Sequence, residues 1–96
     1  MSIPKHFRLF GKRWTVKIKK IKEHGLCTHW HSKIHIHPKQ SLEMAKETFL
    51  HEVTHAVDLE MGLHMKERQV TGLSTGLFGW IRDNPKIVKW IMGSSK

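Results

Sequence analysis

The sequence has a single cysteine, Cys27, and no tyrosine among its 96 residues. A lone cysteine excludes an intramolecular disulfide and a cysteine-rich zinc knuckle, so any bound metal must take histidine and carboxylate ligands. It also suits a reducing compartment. Without tyrosine, a side chain that stabilises a developing oxyanion must be histidine, arginine or lysine. No run approaches the ~20 apolar residues of a membrane span, and the stretch from Met1 to His6 lacks the apolar segment of a signal peptide. The expected protein is cytoplasmic, with no membrane partner. The length allows one modest core, and no repeat, linker or low-complexity tract argues for a second unit, so residues 1–96 are expected to form a single domain.

Acidic residues are scarce where basic ones are dense. Through residue 39 there are ten Lys or Arg against Glu23 alone, whereas from residue 40 onward seven bases meet seven acids; the net charge of +9 thus resides in the N-terminal part. Such a field attracts nucleic acid, anionic lipid or acidic protein. The plainer reading is a solvated sheet face, since Lys17 and Lys19 fall at outward strand positions and no aromatic alternates with them as in a stacking platform.

Residues 13–19 alternate strictly, with Trp14, Val16 and Ile18 on one face and Thr15, Lys17 and Lys19 on the other. His6 to Phe10 pairs with this strand through Gly11-Lys12, where a leading glycine permits a type II′ turn. Leu26 to Trp30 and Ile34 to His37 read as a second hairpin with Ile34 and Ile36 facing the core. Helical periodicity starts after Ser41, a good N-cap, and continues to Met61, where Gly62 supplies a left-handed stop. Leu42, Ala45, Phe49, Leu50, Val53, Ala56 and Val57 form its apolar stripe, with His51, His55 and Asp58 nearly opposite. A second helix is expected from about Lys66 to Arg82, with Val70, Leu73, Leu77 and Ile81 in a row. Asn84-Pro85 opens a short third helix carrying Ile87, Val88 and Ile91. The fold class is α+β: about four strands in two hairpins, then three helices, with the first packed on the sheet.

The first helix carries His51-Glu52-Val53-Thr54-His55. Histidines four apart project from one helix face and can bind one ion, for which zinc is the natural choice with imidazole and carboxylate donors. Glu52 is placed to take a proton from a water whose pKa the metal lowers towards ~7. With nine His and six Glu in the chain, the bare pattern arises by chance in roughly one shuffled sequence in twenty, so placement matters as much as spelling. Mid-helix, with the histidines turned away from the apolar stripe, it suits the wall of a cleft.

A catalytic zinc takes a third protein ligand and keeps an open position. Glu67, in the first turn of the second helix, is the expected ligand, and His64 is its competitor. Asp58 is expected to orient an imidazole through its other ring nitrogen. His29, His31, His35 and His37 could gather on a hairpin face around a second ion, although alternation on a half-exposed strand accounts for them.

Gly11-Lys12-Arg13-Trp14, Lys33-Ile34-His35-Ile36-His37-Pro38, Phe49 to Ala56, Glu67 with Val70 and Leu73, and Arg82-Asp83-Asn84-Pro85 together resemble the minimal zincin metallopeptidases, small phage and bacterial proteins loosely related to the SprT-like group. The resemblance implies a zincin-like fold and a zinc metallopeptidase of gluzincin-like character acting on peptide or protein substrates. His51 and His55 would then be zinc ligands, Glu52 the general base, and Ile34 to His37 an edge strand for extended substrate. The competing function is a non-catalytic, zinc-stabilised basic module that binds nucleic acid or a partner protein, in which a fourth protein ligand would close the site.

Overall fold

The alternating apolar residues fold the N-terminal part into a sheet in the computed structural model, which describes residues 3–93. Strands β1 (His6–Leu9) and β2 (Lys12–Ile18) pair antiparallel, Leu9 opposite Lys12. The turn is therefore Phe10-Gly11 rather than Gly11-Lys12, and both residues take positive φ, 52° and 78°. That is the type I′ combination, not the type II′ expected from a leading glycine; its sense matches the right-handed twist of the strands it joins.

Strands β3 (Gly25–Thr28) and β4 (Lys33–Ile36) form the second hairpin, closed by a single 3₁₀ turn at His29–His31 and a left-handed Ser32. The two hairpins join through a parallel β2–β4 pair, giving the order β1-β2-β4-β3. This order corrects one implication of the zincin resemblance. Ile34 to Ile36 lie in a central strand with both edges paired, and the edge beside the helices belongs to β3.

Trp14, Val16, Ile34 and Ile36 point to one face and are buried, with Phe7 stacked on Trp14 at 5.9 Å and set edge-on to Phe49 at 5.8 Å. Ile18, the third residue of the expected inner row, is exposed at the strand's end.

Helix α1 (Leu42–Met61) covers this inner face through β3 and β4. Its ends are where local chemistry sets them: Ser41 Oγ accepts a hydrogen bond from Met44 N, and Gly62 sits at φ 65°. Helix α2 (Glu67–Asp83) packs on the opposite side of α1, and α3 (Pro85–Ile91) follows with proline in its first turn. Because α1 is a middle layer, polar Thr48, Glu52, Thr54 and Asp58 are buried along with Ala45 and Ala56, while Leu42 at the helix start is exposed. The expected α2 row is anchored only by Val70; Leu73, Leu77 and Ile81 remain 40–47% exposed. Among the described residues, no helix is long and apolar enough to cross a membrane.

Candidate metal centre

One turn of α1 separates His51 from His55 and brings their rings to 5.0 Å between centroids. What the helix cannot provide comes from the hairpin into α2. Gly62 and His64 both adopt positive φ, and Asp58 fastens the turn: its carbonyl accepts from Gly62 N and Leu63 N, and its Oδ1 accepts from Met65 N at 3.0 Å. Asp58 is thus committed to the connection between the helices rather than to an imidazole, contrary to the expectation from its helix face. The buried carboxylate satisfies a backbone donor that the sharp turn would otherwise orphan.

The turn starts α2 at Glu67 and aims its carboxylate back at α1. Oε2 lies 2.9 Å from His51 Nε2, and Oε1 lies 2.9 Å from His55 Nε2. The three side chains offer donor atoms all within 4.8 Å of one another. His64, the competing ligand, is exposed on the turn and is not one of the clustered donors.

Ser74, which the sequence pattern does not single out, supports the cluster from behind. It is 1% exposed, its Oγ donates to Thr71 O at 3.3 Å, and it lies 3.5 Å from His51 Nδ1. When its hydroxyl donates to Thr71 O, the oxygen can accept from an Nδ1–H of His51, the tautomer that would leave the Nε2 lone pair for a cation. The available signal is a small polar residue four positions after Val70, inside an otherwise apolar row.

Glu52 points to the sheet side of α1, into a cleft of about 580 Å³ that it shares with His51, His55 and Glu67. Gly25 of the edge strand makes room for it: a Cβ there would lie 2.6 Å from Thr48 Cγ2 and 2.9 Å from Glu52 Oε2. Burial pushes the Glu52 carboxyl up to about 7, and the negative charges of Glu67 and Glu23 add to the effect. Burial likewise pushes the Cys27 thiol up to about 12, helped by Glu52. Cys27 therefore stands in the cleft wall as a neutral thiol in the metal-free protein.

The remaining histidines do not gather. His29 stacks on Trp14 and lies 3.4 Å from Glu60 Oε2, His37 Nδ1 accepts from Lys39 N, and His35 points to the opposite face of the sheet, level with Lys17. Among the described residues, His51, His55 and Glu67 form the one cluster of this kind. No family model matches the chain, and neither does any curated protein or solved structure. The likeness to SprT-like zincins therefore rests on the motif residues alone, and a functional reading has to come from the cleft.

Proposed function

We propose that this chain is a zinc-dependent peptide hydrolase with its site in the cleft between α1 and the edge strand β3. The observation that carries the proposal is the Glu67 carboxylate meeting both motif imidazoles across the helical hairpin. Two imidazoles and a carboxylate suit a catalytic zinc, and three donors on one side leave a position open to the cleft. A structural zinc would need a fourth protein ligand, which is why the non-catalytic reading is disfavoured.

A zinc ion supplies, when bound, a charge that polarises a peptide carbonyl and lowers the pKa of water. The rest belongs to the chain. His51, His55 and Glu67 hold the ion, and Ser74 fixes the ring of His51. Glu52 takes the proton from the attacking water and passes it to the leaving amine. Burial already favours the protonated form of this carboxyl in the metal-free protein, which suits a group that must hold a proton between the two steps. His24 lines the same cleft and is the candidate side chain for stabilising the oxyanion in a protein without tyrosine. Peptide is the substrate class because β3 is an edge strand along the cleft, and its free backbone groups can pair with an extended chain.

The test is incubation of the zinc-loaded protein with a defined peptide mixture, read by mass spectrometry. New termini that appear with zinc, and not after chelation, are expected; an unchanged mixture over a range of zinc, pH and peptide concentration would refute peptide hydrolysis.

A further inference from the structure

Among the described residues no layer covers the face of the sheet turned away from α1, and its chemistry is one-sided. The pleat sends Arg13, Thr15 and Lys17 of β2 outward, and the register sets Arg8 opposite Arg13, Lys33 opposite Thr15, and His35 opposite Lys17. Glu23, the sole acid before residue 43, lines the cleft instead. Arg13, Lys17 and Lys33 consequently have no ion pair among the described residues, whereas Lys12 is matched by Glu60 and Arg82 by Glu43. Among the described residues Arg8 donates to the carbonyl of Gly11 and has no ion pair. His35, among these cations, keeps a buried Nδ1 with no hydrogen-bond partner.

A second feature lies at one end of the sheet. β2 and β4 run parallel, so the turns that feed them sit at the same end of the sheet. Each turn displays an aromatic ring: Phe10 is 64% exposed and Trp30 95% exposed. Neither is placed by packing, and Phe10 holds a φ of 52°, a position of type I′ turns ordinarily filled by Asn, Asp or Gly. The turns are centred two strands apart, about 10 Å. The strands themselves carry no stacking ring on this face; the fold brings two such rings to its end.

We propose that this open face binds single-stranded nucleic acid, with phosphates on Arg8, Arg13, Lys17 and Lys33 and unpaired bases stacked on Phe10 and Trp30. Exposed rings beside a cationic track are what a strand with unstacked bases requires, and they give nothing to a closed duplex. A bilayer would meet the two tips end-on and leave Lys17 and His35, farther down the strands, unengaged. A flexible strand reaches both. The surface lies on the opposite side of the sheet from the cleft, so the inference does not rest on the proposed hydrolysis.

The experiment is fluorescence anisotropy of a labelled oligothymidylate and of a duplex of the same length, titrated with the full chain over a range of KCl. The single strand should bind more tightly than the duplex, with log affinity falling against log salt with a slope of about −3 for four phosphate contacts. Trp30→Ala and Phe10→Asn should each weaken binding by at least about fivefold, the lower end of what one lost stacking contact costs. Asparagine tolerates the turn's positive φ, so Phe10→Asn should melt no lower than the parent, which separates lost binding from lost fold. The double change Arg13→Ser and Lys33→Ser should reduce the slope by about 1.4. In an NMR titration the His35 ring, its pKa now lowered by burial and by Lys19, Lys33 and Lys17, should titrate at higher pH once phosphate lies over it. The proposal is overturned if no single strand binds at low salt. It is overturned equally if the tip variants bind as well as the parent, or if phosphatidylserine vesicles bind through the tips while the oligonucleotide does not.

Discussion

Glu67 Oε2 lies 2.9 Å from His51 Nε2, although sixteen positions separate the two residues in the chain. The Asp58-fastened turn makes this possible, and the contact favours Glu67 over His64 as the third ligand of the proposed zinc site. Glu67→Ala should weaken zinc binding by more than the roughly 10–100-fold typical of losing an outer hydrogen-bond partner. His64→Ala should leave the affinity unchanged. Competition with a chromophoric chelator measures both.

In the proposed zinc site Ser74 would act on the metal only through His51. Ser74→Ala should lower zinc affinity by about tenfold while the circular dichroism spectrum stays that of the parent. An equal loss of affinity and of folded protein would assign Ser74 to packing alone.

Gly25 of the edge strand lies directly against Thr48 and Glu52 of α1. Gly25→Ala places a methyl group within 3 Å of Thr48 and Glu52, and such overpacking costs about 1–3 kcal/mol. Turnover should fall together with stability in urea, because Glu52 must move along with Thr48.

Buried Glu52 makes the metal-free protein sensitive to pH. Its folded pKa, about 7, exceeds the ordinary 4.5, so the folded state binds a proton that the unfolded chain releases between these values. The contribution of Glu52 to stability is therefore fullest below about pH 4.5 and declines as pH rises through 7, by on the order of 2–3 kcal/mol in all. Glu52→Gln removes this loss. In urea titrations of metal-free protein the variant should exceed the parent by that amount near pH 8 and match it near pH 4.

The parts of this fold that are legible in the sequence are those fixed by local chemistry. Ser41 and Gly62 bound α1 because caps act within one turn, and the alternation at Trp14 and Val16 marks β2 because a strand buries every second residue. His51, Glu52 and His55 are readable for the same reason. The parallel pairing of β2 with β4 leaves no local mark, which is why β4 reads as an edge when it is central. Phe10 misleads because an aromatic at positive φ runs against turn preference. Buried Thr48, Asp58 and Ser74 escape a search for apolar stripes, since an inner helix layer can bury polar groups that find backbone or side-chain partners. Glu67 stands between these cases. Its residue type and its place in the first turn are legible, but its reach to both imidazoles depends on the hairpin register.

The most direct measurement is zinc content and peptide turnover of Glu52→Gln beside the parent protein, on the peptide that the parent cleaves fastest. A general base that is not a ligand predicts one zinc retained per chain and turnover reduced by at least about a hundredfold. Turnover within tenfold of the parent, or loss of zinc along with activity, would contradict the role assigned to Glu52 and with it the hydrolytic site.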